Sequence, residues 1–185
     1  MRVIAGTAGS IPLAAPEGNN TRPTTDRIKE TLFNIISPYI PGSVFLDIFS
    51  GSGAIAIEAL SRGAEKAFLI ENDRKALECI KKNLLKTKLG ARAEVLGMDV
   101  FDALSKIKNS DGLRIDIVFM DPPYSLGIEQ QVLKRLKDTG IIDRDTLIIV
   151  EADLKSEEES LLPEGYSIER IKKYKTNRHL FIRLL

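Results

Sequence analysis

The sequence has few residues that could build a disulfide framework or a zinc site. Its 185 residues include one cysteine, Cys79, and one histidine, His179. A single cysteine cannot form an internal disulfide, and one cysteine with one histidine cannot make the usual tetrahedral zinc site. We therefore expect no metal, and we interpret Cys79 as a small core or boundary residue of a helix.

Long apolar runs and a strong net charge are also missing. No stretch approaches the roughly 18 apolar residues that a membrane-spanning helix needs. Glycines and Pro12 interrupt the apolar start of the chain, so we do not interpret it as a signal peptide. The net charge of +1 is low for a protein that binds nucleic acid. Since 43% of the residues are hydrophobic and 29% are charged, the composition predicts a compact cytoplasmic enzyme without membrane contact.

The segment Asp121-Pro122-Pro123-Tyr124 is the most informative part of the chain. It follows the apolar run 115–120, which predicts a buried strand of a parallel sheet. Because open α/β sheets bind ligands at the carboxyl ends of their strands, we expect this segment to line a site. The alternative is a plain Pro-Pro turn in which the acid bonds its own backbone.

The residue types of this segment suit the alkylation of a planar amino group. The exocyclic amine of a base is a poor nucleophile, because its lone pair is delocalised into the ring. The carboxylate of Asp121 and the carbonyl of Pro122 can each accept one amine hydrogen bond, which would aim the lone pair at an electrophile. The prolines stiffen the loop, and the ring of Tyr124 can stack on a base. We predict Asp121, Pro122 and Tyr124 as catalytic residues, and Pro123 with Tyr124 as substrate contacts.

A second part of the predicted site lies upstream. Residues 44–49 predict a strand, Ser50-Gly51-Ser52-Gly53 a turn of small residues, and residues 54–60 a helix. The glycines let the backbone approach a ligand closely, and the helix N-terminus adds a positive dipole. A second apolar run, 67–70, ends in Glu71, whose carboxylate can accept both hydroxyls of a ribose.

The same residues match a dinucleotide-binding pattern. Residues 51–56 fit G-x-G-x-x-A, and Glu71 follows Gly51 by 20 residues. Asp47 argues against a nicotinamide enzyme, because a carboxylate at the strand end would repel a pyrophosphate and suits a positive amine, such as the ammonium of S-adenosylmethionine. No obvious partner for hydride transfer is present either, since His179 lies far along the chain. We predict S-adenosylmethionine as the methyl donor, bound by Asp47, Ser50, Gly51, Gly53, Glu71, Asn72 and Asp99.

Two of these contacts have a structural alternative. Asp99 follows the short predicted strand 93–96 and can either accept a hydrogen bond from the adenine amine or cap the helix that starts near Phe101. Both roles are compatible. Of the neighbours Asn72 and Asp73, we expect Asp73 to cap the next helix and Asn72 to contact the cofactor.

Strands and helices alternate from Val44 to Ala152, which predicts right-handed βαβ units and a parallel sheet. Two further strands, 166–176 and 179–185, are predicted around a turn at Asn177-Arg178. We expect a single α/β domain over residues 1–185. It consists of an N-terminal extension, residues 1–40, with a β-hairpin and a helix, and a Rossmann-like core, residues 41–185. The helix of the extension is amphipathic, with an apolar face formed by Ile28, Leu32, Ile35 and Ile36.

Two regions could contact an anion. Arg22, together with the free amides at the start of the N-terminal helix, would suit the carboxylate of the cofactor or a nucleic-acid phosphate. Thr24, Thr25 or Asp26 can cap that helix, and we predict Arg22 and Thr24 as substrate contacts; the alternative is a capped helix with a surface arginine. Residues 166–185 contain six lysines or arginines and one acid, which fits either a solvated hairpin or phosphate contacts.

Four segments resemble, in the same order, the RsmD family of bacterial 16S rRNA guanine-N2 methyltransferases. They are residues 22–34, 46–53, 58–63 and 121–124, with the sequences RPTTDRIKETLFN, LDIFSGSG, EALSRG and DPPY. The second and fourth are shared with many amino-methyltransferases, whereas the first and third are more particular to the family. Family members usually carry basic residues where this chain has residues 7–11, and a glycine where Lys175 follows Tyr174, in regions that we expect near RNA.

The resemblance implies a class I methyltransferase fold with a mostly parallel seven-stranded sheet and an antiparallel C-terminal hairpin. It implies methylation of the N2 amine of one guanine in the 16S rRNA of an assembling 30S particle. Separately, we expect the protein to be a monomer. Asp47, Gly51, Gly53, Glu71 and Asp99 would then serve the cofactor, and residues 121–124 would hold the base. The alternatives are a methyltransferase acting on DNA adenine or protein glutamine, and a non-catalytic S-adenosylmethionine-binding assembly factor.

Overall fold

The computed structural model describes residues 1–16, 25–108, 112–122, 127–157 and 161–185. Among these residues, the strands are β1 (Val44–Ile48), β2 (Lys66–Glu71), β3 (Ala93–Gly97), β4 (Ile117–Met120), β5 (Leu147–Asp153), β6 (Tyr166–Lys173) and β7 (Asn177–Leu184). The α-helices are α1 (Asp26–Ile36), α2 (Ala54–Ser61), α3 (Arg74–Thr87), α4 (Val100–Lys108) and α5 (Glu129–Thr139). Short 3-10 turns cover Ser37–Tyr39 and Gly90–Arg92.

The described strands form one sheet in the order β3-β2-β1-β4-β5-β7-β6. Strands β1 to β5 are parallel to their neighbours, whereas β7 is antiparallel to both β5 and β6. The order reverses direction at β1 and β4, so the carboxyl ends of these two central strands flank a crevice of the kind that binds ligands. This arrangement confirms the predicted mostly parallel sheet with an antiparallel C-terminal hairpin.

Both faces of the sheet are covered, which explains why its central strands are apolar throughout. All four residues of β4 are buried, and every residue of α2 is buried as well. One hydrophobic cluster joins α1, α2 and part of α3 to one face of the sheet, and a second joins α4 and α5 to the other. No helix within the described ranges is long and apolar enough to cross a membrane.

The predicted position of the C-terminal turn was wrong. The turn lies at Tyr174–Thr176, and Asn177 and Arg178 belong to β7, where both are buried. The Asn side chain is used inside the fold, because its amide donates a hydrogen bond to Glu151 of β5. The Asn177-Arg178 pair has the residue types of a polar turn, but its side chains make buried polar contacts.

The buried face of α1 also differs from the predicted one. Lys29, Leu32, Phe33 and Ile36 are buried, whereas Ile28 and Ile35 are only half-buried. The N-cap is Thr25, whose side chain accepts a hydrogen bond from the backbone amide of Ile28. The face is displaced because Lys29 enters the interior to meet an acid of α2.

That acid is Glu58, and it anchors the N-terminal segment to the core. Its carboxylate lies 3.2 Å from Nζ of Lys29 and 2.7 Å from Nε of Arg62, and it accepts hydrogen bonds from the backbone amides of Ile4 and Ala5. Neither the Lys29 nor the Glu58 side chain is exposed. Burial lowers the pKa of Lys29, and the charge of Glu58 opposes that shift. Two segments on which the family resemblance rests thus meet in a buried ion pair.

A second contact holds the first residues against the same helix. The hydroxyl of Ser61 donates to the carbonyl of Ala5 and accepts from the amide of Ala8. Gly6 has a φ of +83°, and a Cβ there would lie 1.9 Å from the carbonyl oxygen of Ser61, so no other residue fits. The predicted N-terminal hairpin is present in a short form, with one bridge between Arg2 and Pro12.

Candidate active site

The predicted site residues of the core converge on the carboxyl edge of the sheet. Ile48, the last residue of β1, lies between Ile70 of β2 and Met120 of β4 in the strand register. The backbone amide of Asp121 donates to the carbonyl of Ile48 at 3.5 Å. Glu71 and Asp121 therefore flank the turn that follows β1, one on each side.

The turn after β1 has a strained backbone. Phe49, Gly51 and Gly53 have φ values of +65°, +54° and +75°. A positive φ is unusual for a bulky residue such as Phe49, and strain of this kind is concentrated at functional sites. The hydroxyl of Ser50 bonds the carbonyl of Asp47, and the amide of Gly53 bonds the carbonyl of Ser50, which closes the turn.

The two glycines serve different purposes. A Cβ on Gly53 would lie 3.0 Å from Cδ2 of Leu69 and 3.3 Å from Cγ1 of Ile80, so Gly53 lets α2 pack closely against the sheet. A Cβ on Gly51 would meet nothing within 4 Å. Gly51 therefore borders open space on the ligand side of the turn, where a cofactor could approach the backbone.

Glu71 fixes both loops at this edge. One carboxylate oxygen accepts a hydrogen bond from the amide of Gly51 at 2.8 Å. The other accepts from the amides of Asn72 and Asp73 at 2.8 and 2.9 Å. Because Glu71 is only partly buried at the end of β2, its carboxylate remains close to the space beside Gly51.

Asp47 is buried beneath the turn, with 1% of its surface exposed. Its Oδ2 accepts a hydrogen bond from the amide of Ala56 at 3.1 Å, which ties β1 to the first turn of α2. Burial raises the pKa of Asp47 to about 8; the bond from Ala56 opposes this shift, and the charge of Glu71 adds to it. A nearby cation would favour the ionised form of this carboxyl group.

Asp121 lies in the same acidic environment. Burial raises the pKa of Asp121 well above its usual range, and the charges of Glu151 and Asp47 raise it further. Asp47, Glu71, Asp121 and Glu151 therefore place four carboxyl groups at this edge of the sheet. Raised pKa values, such as those of Asp47 and Asp121, are typical of functional sites, and clustered acids disfavour an anionic ligand while favouring a cationic one.

Glu151 and His179 are residues of this edge that the sequence analysis missed. Glu151 of β5 is 5% exposed and His179 of β7 is fully buried. Nε2 of His179 lies 3.1 Å from Oε2 of Glu151, and Nδ1 lies 3.2 Å from the hydroxyl of Tyr174. The available signal was an acid near the end of the apolar run 147–152, which repeats the pattern of Asp121 after β4. Nothing in the sequence indicated that His179, 28 positions later, would pair with it.

The two ambiguous acids have the expected structural roles. Asp73 caps α3 by accepting a hydrogen bond from the amide of Ala76 at 2.8 Å, as predicted. Asp99 is exposed before α4 and accepts from the amide of Phe101 at 2.8 Å. Contacts of Asp99 and Asn72 with a cofactor stay predictions.

The described part of the predicted tetrad is Asp121 and Pro122, and Pro122 is buried. Four predicted residues lie outside the described residues: Arg22, Thr24, Pro123 and Tyr124. Cys79 is buried in α3 as a free thiol, as predicted. No group of three or more metal-binding side chains occurs in the part of the chain that the structure describes.

Comparisons with known proteins agree with this architecture. The solved structure of a hypothetical protein from Thermus thermophilus superposes with a TM-score of 0.83 and 29% identity, and covers 100% of this chain and 99% of that one. The fold and the crevice at the strand ends define a class I methyltransferase.

The family follows from the sequence comparisons. A family model described as "Conserved hypothetical protein 95" matches residues 1–183. The chain is 37% identical over 172 residues to ribosomal RNA small subunit methyltransferase D of Escherichia coli (strain K12), and the match covers 93% of this chain and 84% of that protein. The protein of the same name from Haemophilus influenzae is 36% identical over 169 residues, covering 91% and 86%. This chain belongs to the RsmD family.

Proposed function

We propose that this protein transfers a methyl group from S-adenosylmethionine to the exocyclic N2 amine of a guanine in 16S rRNA. The observation that carries the proposal is the crevice with four carboxyl groups, Asp47, Glu71, Asp121 and Glu151, beside the glycine turn. Such a site favours a ligand with two positive charges, and S-adenosylmethionine has a sulfonium and an ammonium. The relatives named as small-subunit rRNA methyltransferases supply the class of acceptor.

The donor set fits this cofactor residue by residue. The open space beside Gly51 would admit a nucleoside, the carboxylate of Glu71 could accept from its ribose hydroxyls, and Asp47 could pair with its ammonium. Asn72 and Asp99 are exposed and follow the ends of β2 and β3, where they could contact the adenosine of the cofactor. The same acids would repel the pyrophosphate of a dinucleotide, which weighs against a nicotinamide enzyme.

Bound S-adenosylmethionine supplies an electrophilic methyl group, whose carbon–sulfur bond breaks as the bond to guanine N2 forms. Asp121 accepts a hydrogen bond from one N2 hydrogen of the guanine, and the carbonyl of Pro122 accepts one from the other. The nitrogen lone pair then faces the methyl carbon. The amine proton becomes acidic as the new bond forms, and Asp121 or water takes it.

The acidic surroundings also connect cofactor binding with the role of Asp121. Burial and the charges of Glu151 and Asp47 raise the pKa of Asp121, which disfavours its carboxylate form. The cationic cofactor would favour the carboxylate and so prepare Asp121 to accept from guanine. If the guanine is paired in the substrate, it must turn out of the helix to reach the crevice.

The test is methyl transfer from labelled S-adenosylmethionine to unmodified 16S rRNA, both naked and in 30S particles, with duplex DNA alongside. Nucleoside analysis should find the label in N2-methylguanosine. Label in methyladenine of DNA, or in protein glutamine, would replace the proposed acceptor with one of the alternatives. Tight cofactor binding with no transfer to any acceptor would indicate a non-catalytic assembly factor.

Asp121→Asn tests the role of the carboxylate. We expect loss of at least about 100-fold in kcat, the usual scale for a positioned proton acceptor, with the dissociation constant for S-adenosylmethionine changed by less than about threefold. Asp145→Asn is the matched control, because Asp145 is an exposed acid just before the amino end of β5, at the opposite edge of the sheet. Equal activity in both variants would reject the assignment of Asp121.

An rRNA substrate also fits a cytoplasmic location and an assembling 30S particle, and we propose that the protein acts there as a monomer. The expectation for the particle is checked by comparing the rates on naked rRNA and on 30S subunits. A preference for naked rRNA would move the reaction to an earlier stage of assembly.

A further inference from the structure

The basic residues near the C-terminus fall into two groups in the structure. Arg170, Arg178 and Arg183 are used within the fold: Arg183 pairs with Glu169 at 2.9 Å, Arg178 is 4% exposed and donates to the carbonyl of Ser156, and Arg170 lies 5.9 Å from the ring centre of Phe181. Lys172, Lys173 and Lys175 differ from these arginines. None of the three forms an ion pair with another residue in the described ranges.

The three lysines line a cleft together with the first turns of α1. The cleft has a volume of about 440 Å³ and is bordered by Thr25, Arg27, Ile28, Thr31 and residues 172–176. Its charged lining residues are Arg27 and the three lysines, and no acid belongs to the lining. Arg27, Lys173 and Lys175 are exposed, so their charges can reach a large ligand. Burial raises the pKa of the Tyr174 phenol to about 12, so this residue adds no negative charge.

The cleft opens at the same edge of the sheet as the active site. In the strand register, Glu151 of β5 is opposite His179 and Asp153 is opposite Asn177, so the β6–β7 turn extends past the carboxyl end of β5. The hydroxyl of Tyr174 in that turn reaches His179, which contacts Glu151 in the acidic crevice. Strand β7 is two strands from β4, a distance of about 10 Å at the usual strand spacing. A chain that places one base beside Asp121 could therefore continue across the cleft.

We propose that this α1–β6 cleft binds the sugar–phosphate backbone of the RNA strand that carries the target base. The inference rests on the proposed function and adds to it the surface that holds the substrate. The acidic crevice repels phosphates, whereas the adjacent cleft carries four cationic side chains, so the base and its backbone are separated by charge. Phosphate contacts of this kind set the register of the strand without reading its sequence. The low net charge of +1 does not oppose RNA binding, because the lining of the cleft contains four basic residues and no acid.

The decisive variant is Lys172→Ala/Lys173→Ala/Lys175→Ala. Its matched control is Lys81→Ala/Lys82→Ala/Lys86→Ala, which removes three exposed lysines of α3 and changes the net charge equally. Both variants are titrated with a fluorescent single-stranded RNA over a range of salt concentrations, and assayed with unmodified 16S rRNA. Calorimetry with S-adenosylmethionine shows whether each variant retains a folded cofactor site.

For the cleft variant, we expect the slope of log K against log salt to fall by about 2, or roughly 0.7 for each lost contact with a single strand. The KM for rRNA should rise at least about tenfold, while kcat at saturating RNA and the affinity for S-adenosylmethionine stay within about twofold. The control variant should bind and react like the unaltered protein. This combination supports the cleft as the backbone site.

Several results would overturn the inference. An equal loss in both variants would show a general charge effect, and an unchanged salt slope in the cleft variant would place the RNA elsewhere while leaving the proposed function intact. A higher KM on 30S particles with unchanged binding of naked RNA would mean that the cleft holds a ribosomal protein. If the unaltered protein methylates no RNA, the proposed function fails first, and the binding titration still decides whether RNA occupies the cleft.

Discussion

Replacement of Asp47 by asparagine should remove a pH dependence from the stability of the ligand-free protein. The folded-state pKa of Asp47 is about 8, whereas the ordinary value is 3.8. Between these values the folded protein keeps a proton on Asp47 that the unfolded chain has released. Because the folded state binds more protons, the free energy of unfolding falls as the pH rises through this window, and the dependence ends above a pH of about 8.

One fully displaced titration changes the free energy of unfolding by about 1.4 kcal/mol per pH unit. Between pH 5 and pH 7, Asp47 should therefore cost the ligand-free protein about 2.7 kcal/mol. Asparagine keeps an oxygen for the amide of Ala56 but cannot ionise. Asp47→Asn should consequently lose less stability over this interval. The charge of Asp47 also raises the pKa of Asp121, so the difference between the two slopes reports Asp47 together with its effect on Asp121.

The assay is urea denaturation at several pH values between 5 and 8, with the same series repeated at saturating S-adenosylmethionine. If Asp47 pairs with the ammonium of the cofactor, binding at pH 6 should release fewer protons from Asp47→Asn than from the unaltered protein, the difference being the proton of Asp47. Calorimetry in buffers with different ionisation enthalpies measures that proton. Equal slopes in the two proteins would refute the buried, protonated state of Asp47, and equal proton release would refute its pairing with the cofactor.

Three further predictions concern packing in and around the site. Glu58→Gln should destabilise the protein by about 3 to 5 kcal/mol in urea denaturation, because it leaves the charge of Lys29 buried without its partner. Adding Lys29→Met should recover most of that loss, and a loss below about 1 kcal/mol for Glu58→Gln would contradict the buried pair. Gly53→Ala should lower stability by about 1 to 3 kcal/mol, because of the positive φ at this position and the contact with Leu69. Gly51→Ala should instead weaken S-adenosylmethionine binding more than it lowers stability. If thermal melting and calorimetry showed the larger binding loss for Gly53→Ala and the larger stability loss for Gly51→Ala, the distinct roles of the two glycines would be refuted. His179→Ala should lower the free energy of unfolding by about 3 kcal/mol, because Glu151 loses a buried partner and a cavity forms. The control Arg170→Ala, on the exposed face of β6, should lower it by less than about 1 kcal/mol. Similar urea midpoints for the two variants would argue against a structural role of His179.

The two segments that are more particular to the family contain residues outside the candidate site. In segment 58–63, Glu58, Ser61 and Arg62 hold the N-terminal residues and α1 against α2, and none of these contacts touches the acidic crevice. Lys29 of the first segment belongs to the same contact. These parts of the motifs are therefore explained by anchoring of the extension, whereas the glycine turn and Asp121 belong to the candidate site.

The missing basic residues near the N-terminus also have a structural context. Residues 7–11 lie in the short N-terminal hairpin, which contacts α2 through Ser61. The lining of the α1–β6 cleft contains four basic residues and no acid, and one of them is Lys175, which follows Tyr174. If the proposed cleft binds RNA, substitutions in the C-terminal hairpin should weaken RNA binding more than substitutions in the N-terminal one.

The sequence alone determined the order of the elements and the residues at the strand ends. Strands buried on both faces need unbroken apolar runs, and a turn whose backbone approaches a ligand needs glycine. An acid at the end of an apolar run is costly to bury unless a hydrogen bond or an opposite charge compensates it. These local requirements identified Asp47, Gly51, Gly53, Glu71 and Asp121 without any knowledge of their neighbours. The cap of α3 at Asp73 is local in the same sense, because the bond spans three residues.

Only the tertiary structure decided which distant side chains meet. Glu151 and His179 are separated by 28 positions, and their pairing depends on the antiparallel register of β5 and β7, which no short pattern encodes. For the same reason Asn177-Arg178 resembled a turn, although both residues are buried. The six basic residues after position 165 were equivalent in the sequence, and the fold assigned three of them to internal contacts and three to the cleft. Contacts between distant segments depend on strand order and register, and these are properties of the whole chain.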